Sequence, residues 1–271
     1  MIHELRKRGT GSPVTDDGVL GGRLRLKQPR RGHRVGHDAI LLAAATAAEP
    51  GEHVVDLGAG VGAAGLALAA RVPGITLTLV EIEPELAALA AENASRNGLA
   101  DRVRTLSLDV AAPVRAFAAA GLASGSAARV LMNPPFNAPE RHKLSPDARR
   151  RLAHAARLPL AVWVRSATRL LAPHGRLTLI WRADGLSGVL AALNAAGHGA
   201  VAVLAVHPRP DAPAIRILVE CEKDSAVPLV VLPGLVLNDA AGRPTEAAEA
   251  ILRHGAALPL APALRRRGVA D

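Results

Sequence analysis

The sequence predicts an α/β fold built on a seven-stranded, mostly parallel sheet, with helices on both faces and an antiparallel last strand. From residue 53 onward, short runs rich in Val, Leu and Ile alternate with longer Ala- and Leu-rich stretches of helical period, which is typical of strands joined by crossover helices. The connection "HPRPDAPA" at residues 207–214 is too short and too rich in proline for a crossover helix. The strand after it should therefore run in the opposite direction.

The seven strands are predicted at residues 53–58, 76–82, 103–109, 128–133, 176–181, 200–206 and 214–222, with helices in most of the gaps between them. The helix after the second strand has Pro84 in its first turn and Gly98 just beyond its end, as helix boundaries favour. In an open sheet of this kind, ligands bind beyond the carboxyl ends of the strands, where the winding reverses. The residues that follow each strand are therefore the candidates for a site.

Composition narrows the class of protein. A single cysteine, Cys221, excludes an internal disulfide framework and argues against a structural zinc site, so no metal is expected and a reducing cytoplasm is the natural location. The N-terminus lacks the apolar segment of a secretory signal, and no apolar run is long enough to span a membrane. We expect a soluble cytoplasmic protein, whose oligomeric state the sequence leaves open.

The chain is basic, with a formal net charge of +9 and a pI near 11.1. An excess of this size favours a polyanionic partner, although biased amino-acid usage in an Ala- and Arg-rich genome would also produce it. One basic cluster lies before the first core strand and the other lies in residues 140–151; the proposed contacts to RNA in the two clusters are Arg30, Arg31, Arg34, Arg141 and Lys143. A charged run is usually only a solvated face, and the position of these clusters beside the candidate chemistry favours binding.

The first strand ends in "DLGAGVGAAG", in which Gly60, Gly62 and Gly65 match the dinucleotide pattern G-x-G-x-x-G. Asp56 argues for a different ligand, since its carboxylate would repel a pyrophosphate and attract a cationic amino-acid group. S-adenosylmethionine carries such a group. Gly58, Ala59 and Gly60 would let the backbone pass close to its methionine part.

The next two strands also end in acidic residues. Glu81 follows the second strand, where it could accept hydrogen bonds from both ribose hydroxyls, and Ile82 could lie against the adenine ring. Asp109 follows the third strand, where it could accept from the adenine amine. Three acids at three consecutive strand ends indicate a site for an adenosyl cofactor with a cationic end.

The fourth strand runs into "NPPF", at Asn133, Pro134, Pro135 and Phe136. An exocyclic amine is a poor nucleophile because its lone pair is delocalised into the ring. The side-chain oxygen of Asn133 and the carbonyl of Pro134 could both accept from one NH2 group and so direct its lone pair at a methyl donor. The two prolines would stiffen that geometry, and Phe136 offers a flat face for stacking a base. No general base is required, because the proton leaves after the nitrogen becomes cationic.

On these residues the chain resembles the class I S-adenosylmethionine-dependent methyltransferases, with a Rossmann-like fold, over roughly residues 36–222. "NPPF" is similar to the asparagine-proline-proline-aromatic motif of amino methyltransferases. Residues 16–45, "DDGVLGGRLRLKQPRRGHRVGHDAILLAAA", resemble the bacterial family that methylates N6 of adenine 37 in a valine tRNA. In that family a basic hairpin leads to a helix start that closes over the cofactor, which implies this role for Gly36, His37 and Asp38. Asp38 is also expected to cap a helix that begins at Ala39.

The resemblance implies an S-adenosylmethionine-dependent methyltransferase acting on N6 of adenine in the tRNA anticodon loop. The expected organisation is a basic N-terminal extension with a short hairpin at residues 1–35, the methyltransferase domain at 36–256, and a basic tail at 257–271. Two rivals share the chemistry, namely N2-guanine methylation of ribosomal RNA and protein glutamine methylation. An NAD-dependent oxidoreductase and a cofactor-binding scaffold without turnover are alternatives from other classes. His142 and His154 are interpreted as surface or core histidines, without a catalytic role.

Overall fold

The computed structural model describes residues 14–30, 35–135 and 155–260, except residue 156. A central eight-stranded sheet and a two-stranded hairpin are formed within these ranges. The hairpin strands are β1 (Val14–Val19) and β2 (Leu24–Pro29). The sheet strands are β3 (His53–Leu57), β4 (Thr76–Glu81), β5 (Val103–Ser107), β6 (Ala127–Met132), β7 (Leu171–Arg182), β8 (His198–His207), β9 (Arg216–Lys223) and β10 (Val230–Val236).

The spatial order of the sheet is β10-β8-β9-β7-β6-β3-β4-β5. All seven predicted strands are present, and β9 runs antiparallel to both of its neighbours, β7 and β8, as the proline-rich connection predicted. The eighth strand, β10, pairs parallel with β8 at one edge and was not predicted from the sequence. Its pattern is broken by Pro233 and Gly234, where the register of the pairing also shifts.

Helices cover both faces of the sheet. They are α1 (His37–Ala45), α2 (Ala63–Arg71), α3 (Pro84–Arg96), α4 (Val114–Ala119), α5 (Leu160–Leu170), α6 (Leu186–Ala195) and α7 (Glu246–Leu252). The predicted boundaries of α3 are confirmed, with Pro84 at its start and Gly98 beyond its end at φ +67°. That left-handed conformation favours glycine, which ends the helix there.

The two faces of the sheet bury separate apolar clusters. One cluster contains residues of α1, α2, α3 and α7, and the other contains residues of α4, α5 and α6. Neighbouring residues of one strand divide between them, as Val54 and Val55 of β3 show. This alternation follows from the two-residue repeat of an extended strand, so each strand contributes to both cores.

The hairpin packs on the same core as the sheet. Leu24 and Leu26 of β2 are buried in the cluster on the α1 face, and a short 3₁₀ turn, Leu20–Gly22, joins the two strands. At the other end of the chain, the N–H of Leu258 donates to the carbonyl of Ala44, and Leu260 is fully buried. The first residues of the predicted C-terminal tail are therefore packed against α1. The triplet Arg265–Arg267 lies outside the described residues.

None of the helices in the described ranges is long and apolar enough to cross a membrane.

Candidate functional site

The site lies where the winding of the sheet reverses. The chain leaves β3 toward β4 and β5 on one side, and then returns to place β6 on the other side of β3. Leu57 and Met132, the last residues of β3 and β6, are paired in register. Gly58 and Asn133 therefore follow at neighbouring carboxyl ends, which is where open α/β sheets bind ligands.

The segment after β3 is a tight turn that the glycines make possible. Gly58, Gly60 and Gly62 have φ values of +75°, +57° and +86°, a region that other residues enter only at a cost. The N–H groups of Gly58 and Ala59 both donate to the carbonyl of Val80, which holds the turn against the neighbouring strand β4. We refer to residues 58–62 as the glycine turn.

Asp56 lies beneath the glycine turn. Its side chain is buried, and Oδ2 accepts the N–H of Gly65 in the first turn of α2 at 2.9 Å. Burial raises the pKa of Asp56 to about 7; the Gly65 hydrogen bond opposes this shift and the nearby charge of Glu81 adds to it. The carboxylate thus fixes the start of α2, and its predicted direct contact with a cofactor ammonium stays a prediction.

Glu81, the last residue of β4, joins the glycine turn to the segment that follows β4. Oε2 accepts the N–H of Gly60 at 2.8 Å, and Oε1 accepts the N–H of Glu83 at 2.9 Å. Burial raises the pKa of Glu81, and these backbone hydrogen bonds oppose the shift. A carboxylate has about four acceptor positions, so the two bonds leave capacity for hydroxyl donors.

Asp109 and Ile82 lie beside Glu81, because the N–H of Leu108 donates to the carbonyl of Glu81. Asp109 is half-buried, and its Oδ1 accepts the N–H of Ala111 at 2.8 Å. Ile82 is half-buried and packs against the α4–α6 core. The structure thus brings the three predicted carboxylates to one edge of the sheet, at the ends of β3, β4 and β5.

The catalytic motif begins directly after β6. Asn133 is half-buried, Pro134 is buried and Pro135 is exposed. Phe136 lies outside the described residues, as do His142, His154, Arg141 and Lys143. The described part of the motif therefore starts beside the glycine turn.

The start of α1 differs from the prediction. The helix begins at His37, with Gly36 as its N-cap residue and no side-chain cap, so the expected capping by Asp38 of a helix from Ala39 is wrong. Asp38 instead lies in the first helical turn, where its carboxylate accepts from Nε of Arg216 at 2.9 Å. A carboxylate in the first turn still interacts favourably with the helix dipole.

The basic residues of the hairpin are largely engaged within the fold. Arg25 pairs with Asp16, and Lys27 pairs with Glu92 of α3. Arg30 is exposed, whereas Arg31 and Arg34 lie outside the described residues. The predicted RNA contacts of this segment stay predictions.

Three residues that sequence reasoning missed contribute to this edge of the molecule, namely Gln28, Asn93 and Arg216. Asn93 is fully buried and lies within α3, near its C-terminal end. Asparagine is disfavoured inside helices because its amide competes for backbone hydrogen bonds, so its place in "AAENASRNG" was an available signal. Nothing in the sequence around Arg216 indicated its contact, since its partner, Asp38, is far away in the chain.

The geometry disfavours a dinucleotide at the G-x-G-x-x-G pattern. In that mode of binding, backbone N–H groups of the glycine segment face a pyrophosphate at the helix N-terminus. Here the N–H groups of Gly60 and Gly65 donate to the carboxylates of Glu81 and Asp56. The pattern thus serves to bring two acids under the turn.

Comparison with known proteins adds the family. Residues 33–187 match the family described as "Methyltransferase small domain". A protein of Porphyromonas gingivalis named "tRNA1(Val) (adenine(37)-N6)-methyltransferase" is 34% identical over 158 residues, which are 56% of this chain and 60% of that protein. A protein of Tolumonas auensis with the same name is 29% identical over 174 residues, covering 64% of this chain and 69% of that protein. The matched region thus spans about 60% of the length of the first of these relatives.

Solved structures confirm the fold. The crystal structure of a predicted O-methyltransferase, Atu636 from Agrobacterium tumefaciens, is 29% identical and superimposes with a TM-score of 0.70, covering 82% of this chain and 98% of that one. An S-adenosylmethionine-dependent O-methyltransferase from Thermotoga maritima, 16% identical, covers 72% of this chain and 68% of that one, with a TM-score of 0.51. The predicted Rossmann-like methyltransferase fold is confirmed.

Proposed function

The chain belongs to the methyltransferase small domain family, and on this premise we propose that it transfers a methyl group from S-adenosylmethionine to N6 of an adenine in the tRNA anticodon loop. The observation that carries the proposal is the position of Asn133 and Pro134. They follow β6 at the switch point, in register beside the glycine turn that follows β3. An acceptor pair for an amine thus adjoins a turn suited to a methyl donor.

The residues present fit S-adenosylmethionine. Buried carboxylates at the ends of β3 and β4 suit its cationic amino-acid end and its ribose hydroxyls. Among the residues that the structure describes, a Cβ added at Gly60 or at Gly36 would meet no atom within 4 Å, so the described part of the chain leaves space beside both glycines. When bound there, the cofactor would supply an electrophilic methyl group.

The residues of this chain would activate the amine. Oδ1 of Asn133 and the carbonyl oxygen of Pro134 would accept its two hydrogens, which localises the nitrogen lone pair and stabilises the charge that grows on nitrogen. Pro134 is buried, its ring fixes its φ, and the following Pro135 restricts its ψ, so the orientation of its carbonyl is restrained. The proton is lost to solvent once the nitrogen is cationic, and no basic side chain is needed.

Adenine in tRNA is the substrate that the relatives favour, because both curated relatives named above carry this activity in their names. The net charge of +9 agrees with an RNA partner. The two same-chemistry rivals, N2 of guanine in ribosomal RNA and a protein glutamine, would use the same acceptor pair. The family match leaves the NAD-dependent oxidoreductase without support.

The deciding experiment is mass spectrometry of nucleosides from total tRNA incubated with the enzyme and isotope-labelled S-adenosylmethionine. We expect the label in N6-methyladenosine, in tRNA from cells that lack this activity. Parallel incubations with ribosomal RNA and with cellular protein test the two rivals, and label in N2-methylguanosine or in glutamine there, with none in tRNA, would overturn the adenine assignment in favour of that rival. Binding of RNA and cofactor without any transfer of label would favour a scaffold.

A further inference from the structure

Two buried amide side chains connect the hairpin to the candidate site, and the chemistry proposed above uses neither. Asn93 of α3 is 0% exposed and Gln28 of β2 is 3% exposed. A buried amide is costly unless its donors and acceptor are satisfied, so the partners of these two side chains show what they hold together.

Asn93 joins the glycine turn to β2. Its Nδ2 donates to the carbonyl of Val61 and to the carbonyl of Lys27, both at 3.0 Å. Its Oδ1 accepts the N–H of Lys27 at 2.7 Å. This one side chain therefore bonds both backbone polar groups of Lys27, as a neighbouring strand would, and it also bonds the Val61 carbonyl of the glycine turn.

Gln28 reaches the other wall of the site. Its Oε1 accepts the N–H of Val35 at 2.9 Å, and its Nε2 donates to Asp17 of β1 at 2.8 Å. Val35 precedes Gly36, the N-cap residue of α1. The hairpin is thus hydrogen-bonded to the glycine turn and to the residue before α1, the two segments that contain predicted cofactor contacts.

We infer that Asn93 and Gln28 are positioning residues, which set the glycine turn and the approach to α1 by reference to the hairpin. A turn with three residues at positive φ has few conformational restraints of its own, so a bond to Val61 restricts it. Because the same amide holds the hairpin, docking of the hairpin and binding of the cofactor stabilise each other. The inference rests on the proposed function, since the ligand is S-adenosylmethionine or its product.

Asn97 is a matched control. It lies one helical turn after Asn93, and it pairs with β2 in the same way, since Oδ1 accepts the N–H of Arg25 and Nδ2 donates to the carbonyl of Arg25. Its further bond runs to the carbonyl of Asn93, within the same helix, and not to the glycine turn. Asn97→Ala thus removes equivalent contacts to the hairpin, at Arg25 in place of Lys27, without releasing Val61.

The test is calorimetric titration of the full chain with S-adenosylhomocysteine, at a temperature at which circular dichroism shows each variant folded. Asn93→Ala should raise Kd about fivefold or more, whereas Asn97→Ala should leave Kd within about twofold of wild type. Equal affinities in the two variants would overturn the inference alone. A wild-type chain that does not bind S-adenosylhomocysteine would overturn the proposed function together with this inference.

A second measurement uses the unaltered protein and decides the matter if Asn93→Ala does not fold. Hydrogen–deuterium exchange of the amides of Lys27 and Val35 reports on the bonds to Asn93 and Gln28. Saturating S-adenosylhomocysteine should slow their exchange at least about threefold, while amides of β10 at the far edge keep their rates. Unchanged exchange at Lys27 and Val35 with ligand bound would contradict the coupling.

Discussion

At the scale of single residues, the buried acids of the site accept hydrogen bonds from backbone N–H groups. Asp56 and Glu81 are buried, and their hydrogen-bond partners include the N–H groups of Gly60, Gly65 and Glu83. Backbone donors lower the cost of burial less than a full positive charge would, so the pKa of both carboxyl groups remains raised. The carboxylates thereby keep an electrostatic preference for a cationic ligand.

Asn133 provides the sharpest test of the proposed chemistry. Asn133→Ala should lower the rate of methyl transfer at least about 100-fold, because a well-placed transition-state acceptor is lost. Asn133→Asp keeps an oxygen acceptor and should retain more of the rate. Affinity for S-adenosylhomocysteine, measured by calorimetry, should change little in either variant. Wild-type turnover by Asn133→Ala would rule out the proposed role.

Asp56 should make stability depend on pH. Its pKa is raised from near 4 to about 7 in the folded chain, so the folded state binds more protons than the unfolded state between these values. The contribution of Asp56 to the free energy of unfolding is therefore fully present below about pH 4 and is lost as the pH rises to about 7. Since one pKa unit corresponds to about 1.4 kcal/mol, the loss can reach about 4 kcal/mol.

The variant Asp56→Asn keeps an acceptor for Gly65 and does not titrate. The free energy of unfolding of the wild type, minus that of Asp56→Asn, should fall between about pH 4 and pH 7 and stay level above about pH 8. Urea denaturation across this range gives the difference. A difference independent of pH would mean that Asp56 is ionised normally.

At the scale of helices and strands, the site depends on contacts from distant segments to the glycine turn and to the start of α1. Trp163 of α5 packs against Gly58, where an added Cβ would lie 2.8 Å from two ring carbons. Asn93 of α3 holds Val61, and Arg216 of β9 holds Asp38 at the start of α1. Two elements therefore hold the glycine turn, and a third holds the start of α1.

Gly58→Ala should destabilise the chain by at least about 2 kcal/mol, because it combines a strained positive φ with a clash against Trp163. Gly60→Ala is the matched control, since its φ is also positive but a Cβ there would meet no atom of the described residues within 4 Å. Gly60→Ala should lower the free energy of unfolding by about 1 kcal/mol. Equal losses in urea denaturation would show that α5 does not pack on the turn as described.

The Arg216–Asp38 pair should behave as one unit. Both side chains are about three-quarters buried, so Arg216→Gln and Asp38→Asn should each cost about 1 kcal/mol of stability. The double variant should cost little more than either single variant, because the ion pair is lost only once. Full additivity of the two losses would contradict the pairing.

Arg182 provides a control. It lies opposite Arg216 across β7 and β9 and forms an exposed pair with Asp184, so Arg182→Gln should lower stability less than Arg216→Gln.

Across the whole molecule, charge is arranged differently at the two edges of the sheet. Toward the amino ends of the strands, Arg129 forms a two-point contact with Glu52, and Arg176 pairs with Glu220 and Glu222. In these contacts the two guanidinium groups offset most of the charge of the three carboxylates. At the carboxyl ends, the acids are held by backbone groups, as described above. The fold thus separates a neutralised structural edge from an edge that can take a cationic ligand.

The salt dependence of RNA binding should locate the basic surface. Replacing Arg30, Arg31 and Arg34 together by Gln should lower the slope of log Kd against log salt by up to about 2, because fewer counterions are released. Arg169 is exposed at the end of α5, beside the amino ends of β6 and β7, so Arg169→Gln should leave the slope unchanged. An unchanged slope in the triple variant would place the RNA elsewhere.

The sequence by itself determined the order of strands and helices, the antiparallel β9, the carboxylates at three strand ends and the methyltransferase family. These features depend on local periodicity, on proline and glycine, and on residue types beside strand ends, which the chain displays directly. The sequence did not predict β10, because Pro233 interrupts the apolar pattern of that strand. It also predicted that Asp38 caps a helix from Ala39, whereas Asp38 lies inside the first turn of α1.

Only the tertiary structure decided which groups those residues meet. The bonds of Asn93 to Val61, of Gln28 to Val35 and of Asp38 to Arg216 join separate elements. The burial that raises the pKa of Asp56 is likewise a property of everything packed around it. Such contacts depend on how sheet and helices dock, and no local pattern in the sequence encodes the distance between two side chains that are far apart in the chain.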